Sequence, residues 1–268
     1  VQEDRQRAQV IAQVNTPRQR QRFLNACRGK LCCGATLPLA LQLLGKAQPG
    51  RFFAGPTLAL DIGGRTAWAA GHANPEELAS FLNFCGCRAV ILDEAECPPP
   101  VGWQKTCDHT IFGLAAGEQL PLPAQTEAQK ALWDSLTFVE DPASGPVAEN
   151  LFPDRPARRD DFYSELCTKR SRGKALVWTL EQGGNIVCTV GAYALCNGQA
   201  YMACGQTAEA LRGQRVGGRL IVQMANALSA QGDQPVFLCS PERVHFYTQL
   251  GFHPLGTLAR YESPIGKD

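Results

Sequence analysis

From residue 216 onward the apolar side chains Val216, Leu220, Ile221, Met224 and Leu228 recur at intervals of four, one, three and four, which is one face of a helix, and Gly232 predicts its stop. A short apolar run over residues 235–240 then predicts a strand. In the stretch that follows, residues 241–252, Val244, Tyr247 and Leu250 share a helix face; Pro241 suits a first turn and Gly251 a left-handed C-terminal position. Upstream, residues 174–179 and 186–195 predict two strands joined by the hairpin signal Gln182-Gly183-Gly184-Asn185, and residues 199–207 predict a third. Before them, residues 160–166 open a predicted helix with Asp160 and Asp161 in its first turn.

The first half has a similar grammar. Residues 17–27 and 37–44 predict helices separated by Gly29 and Gly34, and residues 51–53, 57–62 and 66–70 predict short strands broken by Gly55-Pro56 and Gly63-Gly64. Asn74 then caps a helix with Pro75 at its first position and Glu76 and Glu77 following, ending near Gly86. Residues 88–92 and 110–114 predict further strands. Residues 115–129, with Gly117, Pro121 and Pro123, form a connector, and a second irregular stretch covers residues 141–156. That second stretch is either a wall for a substrate or a plain surface loop.

The run from Leu211 to Leu220 places Gly213, Gly217 and Gly218, with Arg212, Arg215 and Arg219, directly before the helix that begins at Val216. Backbone N–H groups at a helix start have no intrahelical partner and lie at the positive end of its dipole, so they suit a phosphate or pyrophosphate. The glycines let backbone approach closely, and the arginines add charge-assisted bonds. No Gly-Lys-Ser/Thr ending and no Gly-x-Gly-x-x-Gly after a strand is present, which excludes a P-loop and a Rossmann fingerprint. The alternative is a glycine-rich turn opening an ordinary surface helix.

The spacing Arg212, Gly213, Gln214, Val216, Gly217 resembles the acyl-coenzyme A loop of the GNAT superfamily of N-acetyltransferases, with Arg215 standing where that family usually has its central glycine. Residues Tyr247 to Phe252 resemble the second signature, a helix ending Tyr-x-x-Leu-Gly-Phe; Ser240 and Pro241 stand where an Asn is frequent. The resemblance covers the C-terminal half. It implies an α/β (α+β) fold with a mixed central sheet over residues 130–268, preceded by a smaller α/β domain over residues 1–120 that echoes it as a degenerate GNAT-like unit without the loop. It also implies acetyl-CoA as the acyl donor and a primary amine of unidentified type as acceptor. Its cofactor contacts fall on Gly205, Gln206 and Thr207, on Arg212, Gly213, Gln214, Arg215, Val216, Gly217 and Gly218, and on Phe246. Tyr247 matches the tyrosine that often donates a proton to the departing thiolate, or else only packs its ring on the cofactor. For the base, Glu149, Asp160, Asp161, Glu165, Glu242, His245 and a water chain all stay open. A homodimer is common among such proteins, and no residue here demonstrates one.

Composition narrows the field further. The chain has 268 residues, 44% of them hydrophobic, enough for two cores, and a net charge of +1 that disfavours a dominant nucleic-acid surface. Arg5, Arg7, Arg18, Arg20 and Arg22 make the first segment basic, read as a solvated helix face. No run reaches the ~20 apolar residues of a membrane span, and no secretory leader pattern opens the chain, so a cytoplasmic protein is expected. The 12 cysteines are then reduced thiols, with Cys188, Cys196, Cys204 and Cys239 acting as small hydrophobes in strands. Cys32-Cys33 and Cys85-Gly86-Cys87 lack zinc spacing, and Cys97, Cys107 and His109 are the weak remaining option; no metal is expected. Two other functions compete with catalysis: an acyl-CoA-binding sensor without turnover, and an interaction module with a vestigial loop.

Overall fold

Two hairpin-linked antiparallel meanders, each followed by a helix and a parallel strand, organise the chain in the computed structural model, which describes residues 10–264 apart from the side chain of Cys204. Arg5 and Arg7 lie outside the described residues. Contacts divide the chain into two units: residues 10–111, 238–242 and 255–264 form one, and residues 112–237 and 243–254 the other.

In the first unit, helix α1 (Pro17–Cys27) starts at Thr16, whose hydroxyl accepts from the Gln19 N–H while the Gln19 side chain accepts from the Thr16 N–H, a capping box. Helix α2 (Cys33–Leu44) begins four residues before the expected start, with Gly34 inside it; it carries Pro38 and buries Leu37, Leu39 and Leu41. Strands β1 (Ala12–Gln13), β2 (Phe52–Ala54), β3 (Thr57–Gly63) and β4 (Thr66–His72) pair antiparallel in sequence. Gly71 is required there. Its φ is +86°, and a Cβ would overlap the Thr57 carbonyl oxygen across the hairpin.

Helix α3 (Pro75–Phe84) is capped as expected, Asn74 accepting from the N–H groups of Glu76 and Glu77 at 2.9 and 3.1 Å. It leads to β5 (Ala89–Leu92), parallel to β4 over Thr66–Trp68. The last strand, β12 (His253–Glu262), returns to pair antiparallel with β5, Ala259 opposite Leu92 and Glu262 opposite Ala89, with β6 (Gln104–Gly113) on its other side. Leu58, Leu60, Leu78, Leu82, Val90 and Leu92 fill the core between helix and sheet at 1% exposure or less. Each such side chain contributes about 1.5–3 kcal/mol by leaving water.

The second unit repeats the order. Helices α4 (Glu127–Asp134) and α5 (Ser144–Leu151) and strand β7 (Thr137–Val139) occupy stretches that sequence patterning left without regular structure. Helix α6 (Pro156–Arg170) starts at Pro156, four residues earlier than expected, so Asp160 and Asp161 sit past its first turn, which holds no acid. Strands β8 (Leu176–Gln182), β9 (Asn185–Cys196) and β10 (Gln199–Thr207) form the meander, with β7 on the β8 edge. Val147 and Leu166 pack on Val177 and Tyr193, fastening α5 and α6 to the sheet. Helix α7 (Val216–Ala230), strand β11 (Gln234–Cys239) and helix α8 (Val244–Gln249) follow.

Among the described residues no helix is long and apolar enough to cross a membrane.

Candidate functional site

Strand β10 pairs with β9 along its length but with β11 only over Gln199–Tyr201, opposite Gln234–Val236. Beyond Tyr201 no further pairing with β11 is made among the described residues, and a cavity of about 1340 Å³ lies against the released end of β10. Gly205, Gln206 and Thr207 line it from that strand, Arg212, Gly213, Arg215, Val216, Gly217 and Gly218 from the loop and start of α7, and Phe246 and Tyr247 from α8. Eleven of the twelve residues expected from sequence are thus brought to one cavity, while Gln214 is exposed and does not line it.

Among the described residues three helix starts carry a side-chain cap, and the start of α7 is one of the five that do not. Thr16, Asn74 and Thr126 cap α1, α3 and α4 with their side chains, whereas Arg215 precedes α7 without a side-chain cap. Among the described residues the N–H groups of Val216, Gly217 and Gly218 have no partner; the first bond is from the Arg219 N–H to the Arg215 carbonyl at 3.0 Å. A 15-residue helix with three free donors on a cavity wall presents a partial positive charge to whatever enters.

Besides lining the cavity, the glycines serve packing and the turn. A Cβ on Gly217 would overlap Thr207 Oγ1, and one on Gly218 would stand 3.0 Å from Leu250 Cδ2, so both let α7 sit tightly on β10 and α8. Gly213, at φ +77° with open space around it, makes the turn. Arg215 adopts φ +62°, the left-handed conformation that a glycine would take freely. The turn therefore survives the glycine-to-arginine departure, at the expense of about 1 kcal/mol of backbone strain. Arg215→Gly is expected to raise the melting temperature by about 2 °C, as differential scanning calorimetry can check, while removing a cation from the cavity.

The three arginines separate by role. Arg212 bends back to bond the Thr207 carbonyl through Nε at 3.3 Å, tying the loop to the end of β10. Arg215 is exposed and makes no ion pair or side-chain hydrogen bond among the described residues. Arg219, expected as a third phosphate ligand, instead donates through Nη1 to the Gln125 side-chain oxygen, and its guanidinium lies 4.4 Å from the Trp133 ring centroid.

Tyr247 is held in an aromatic nest: its ring centroid is 4.6 Å from that of Phe237, 5.0 Å from Phe246 and 5.9 Å from Phe112. Gly251, at φ +92°, ends the helix as its position predicts.

None of the candidate bases lines the cavity. Glu165 is paired with Lys169 at 2.6 Å, Asp160 lies 3.6 Å from Arg159, Glu242 bonds Ser240, and Glu149 and His245 are exposed. The charged lining among the described residues is Arg212, Arg215 and Arg243 alone.

Sequence reasoning missed Arg243, Thr189, Ile221 and, above all, Pro121 to Ala124, which line the same cavity from the connector. A Pro-rich linker carries no signal that it will lie against a site.

Thiol chemistry is disfavoured by burial. It pushes Cys33, Cys87 and Cys97 up to about 12, 11 and 11, and raises Cys32, Cys188 and Cys196, so the reactive thiolate is suppressed in each. Among the described residues no group of three or more His, Cys, Asp or Glu is placed to hold a metal ion.

No protein-family profile matches the chain, and no curated protein matches it in sequence. Solved structures do. A GCN5-related N-acetyltransferase from Kribbella flavida matches over 87% of this chain and 96% of its own, at 16% identity and a TM-score of 0.58. A GCN5-related N-acetyltransferase from Sphaerobacter thermophilus matches over 94% of each chain at 13% identity, with a TM-score of 0.62. A tandem GNAT protein from the clavulanic acid biosynthesis pathway matches over 97% of this chain and 98% of its own, at 13% identity and a TM-score of 0.61. The chain therefore has the fold of the GCN5-related N-acetyltransferases, extending over both units. At these identities the likeness carries architecture, and the chemistry has to be argued from the cavity.

Proposed function

We propose that the protein is an N-acyltransferase that moves an acetyl group from acetyl-CoA to a primary amine. The observation that carries this reading is the uncapped start of α7, with Arg215 beside it, opening onto a cavity bounded by the end of β10 that has parted from β11. Free N–H donors at a helix start and an unengaged guanidinium complement a pyrophosphate. A strand edge without a neighbour offers N–H and C=O groups to an amide-bearing arm. The cavity exceeds the about 300–1,000 Å³ of a drug-sized site, as an extended ligand requires.

Bound acetyl-CoA supplies an activated thioester carbonyl. Around it, the start of α7 holds the phosphates, residues 205–207 align the arm, and the amine is positioned for its lone pair to bond the carbonyl carbon while the carbon–sulfur bond breaks. The electron pair of that bond leaves with sulfur. Tyr247 lines the cavity and carries a phenolic proton that it can give to that sulfur. The proton lost by the amine passes to water, because among the described residues no carboxylate or imidazole lines the cavity to take it.

This fixes a pH dependence. Only the free-base amine attacks, so kcat/KM is expected to rise tenfold per pH unit below the acceptor's own pKa and to bend there, at about 8 for an α-amine and about 10 for a lysine-like amine. An inflection that stays put when acceptors of different pKa are exchanged would reveal an enzyme base and contradict the water route.

The direct test of binding is thermal melting with acetyl-CoA, coenzyme A and ATP. Both coenzyme forms at 100 times their dissociation constant are expected to stabilise the protein by about 2.7 kcal/mol, and ATP is not. The missing base also favours a second reading, an acyl-CoA sensor without turnover. Coenzyme-dependent acetylation of any member of an amine panel excludes it. The free, mostly buried thiols fit the reducing environment of the cytoplasm, where we place the protein.

A further inference from the structure

The connector between β6 and α4 is laid along α7 as a strap, fixed by one stripe of that helix. Ser229 Oγ donates to the carbonyls of Ala115 and Glu118 at 3.0 and 2.7 Å, and the Gly117 N–H donates to the Ser229 carbonyl at 3.1 Å. One turn towards the helix start, Asn226 Oδ1 accepts from the Leu120 N–H at 2.9 Å and its Nδ2 donates to the Leu120 carbonyl at 2.8 Å. Two turns further, Arg219 holds Gln125 and stacks on Trp133. Positions 219, 226 and 229 are spaced by seven and three, the repeat of one helix face.

The four residues between the last two anchors, Pro121 to Ala124, are the ones that line the cavity. Leu120 also packs toward Gly251, where a Cβ would lie 3.1 Å from Leu120 Cδ2, so the strap meets the end of α8 as well as the length of α7. Its lining side chains are apolar, and Leu122 is 44% exposed, a large hydrophobe with nothing over it. A wall of this kind cannot serve the phosphates. It suits the uncharged parts of the ligand.

We propose that the strap is a working wall of the acyl-CoA site, in contact with either the adenine or the pantetheine portion, and that Arg219 is a positioning residue that holds it there. This rests on the acyl-CoA reading above. Arg219 sits among the loop arginines in sequence, yet its charge is committed to Gln125 and Trp133 rather than to a phosphate. The strap is rigid by chemistry: the Asn226 amide matches a backbone pair on both sides, and the prolines fix φ through the span between anchors.

The experiment is isothermal titration of coenzyme A, pantetheine and adenosine 3′,5′-diphosphate into the full chain and into Leu122→Asp, Trp133→Ala, Arg219→Ala and Arg219→Lys. Leu122→Asp alters an exposed side chain and keeps the test valid should a Trp133 variant melt early. Trp133→Ala, Arg219→Ala and Leu122→Asp are each expected to raise the Kd for coenzyme A about tenfold, with the loss confined to whichever fragment meets the strap. Lysine at 219 keeps the charge but loses the planar stack and the fork, so Arg219→Lys is expected to remain weak. Wild-type affinity in Arg219→Lys would show that charge alone matters and overturn the positioning role. Coenzyme A bound equally by wild type, Leu122→Asp and Trp133→Ala would overturn the strap while leaving the acyl-CoA reading standing. A wild-type chain that binds none of the three probes would overturn both.

Discussion

Replacing Arg215 by Glu is expected to weaken coenzyme A binding at least about 100-fold while the protein stays folded. The side chain is exposed and has no partner among the described residues, so its removal breaks nothing inside the fold. What it removes is a charge-assisted bond beside three unpaired N–H donors, about 1.5–3 kcal/mol, and the carboxylate adds repulsion toward a dianionic pyrophosphate. At about 1.4 kcal/mol per decade, the lost bond alone accounts for one to two decades, and repulsion carries the total past two. Arg215→Gln, which deletes charge without reversing it, is expected to fall between. The electrostatic origin has its own signature: wild-type affinity should decline as salt rises, and that of the Glu variant should decline less or increase. Titration calorimetry at two ionic strengths checks both. An unchanged Kd would place the phosphates elsewhere and remove the central support for an acyl-CoA site.

Helices α7 and α3 occupy equivalent places and start differently. Both helices follow the third strand of a meander and precede a parallel strand, and in both places the strands part after three paired residues: β4 leaves β5 after Trp68 as β10 leaves β11 after Tyr201. The helix starts are opposite in character. At α3 the free N–H groups are already taken by the Asn74 side chain, and Glu76 and Glu77 occupy the first turn. A phosphate there would meet two carboxylates and no spare donor. At α7 the cap is missing and the nearest charges are arginines. A single fold thus yields a closed helix end in the first unit and an open one in the second, decided by about four residues at each turn.

That difference was visible in the sequence, because it depends on residues next to one another: Asn-Pro-Glu-Glu against Arg-Val-Gly-Gly. The same holds for α1, α7, the two main hairpins and the left-handed Gly251, all set by local periodicity or by a residue type that one conformation favours. What stayed hidden depends on partners far along the chain. Strand β12 pairs with β5, some 170 positions earlier, so no short-range pattern marks the register. The strand β6 extends back to Gln104 through mostly exposed polar residues, without the alternation that announces a strand. Helix α5 contains Gly145 and Pro146 and reads as a loop until Val147 and Ala148 find the sheet. The strap was hidden for a related reason: Arg219, Asn226 and Ser229 look like the solvated side of an amphipathic helix, and only the fold shows that their partners are connector backbone and Trp133.

Tyr247→Phe is expected to lower kcat about 100-fold and to change the Kd for coenzyme A less than twofold, the size of effect that loss of one general acid produces. The asymmetry follows from what the substitution leaves in place. The ring stays among Phe237, Phe246 and Phe112 at its centroid distances of 4.6–5.9 Å, so the packing that shapes the cavity wall persists and the phosphate end is untouched. Only the hydroxyl goes. Without it the departing sulfur must take its proton from water or leave as a bare thiolate, which raises the barrier for carbon–sulfur cleavage by about 2.7 kcal/mol at this rate loss. Acyl donors whose leaving thiol is more acidic need that proton less, so the penalty of Tyr247→Phe should shrink as the leaving-group pKa falls. If Tyr247 only packs, Phe is a near-perfect replacement and the rate with every donor is unchanged. A loss of rate accompanied by an equal loss of coenzyme affinity would instead show that the hydroxyl helps to hold the ligand in its ground state.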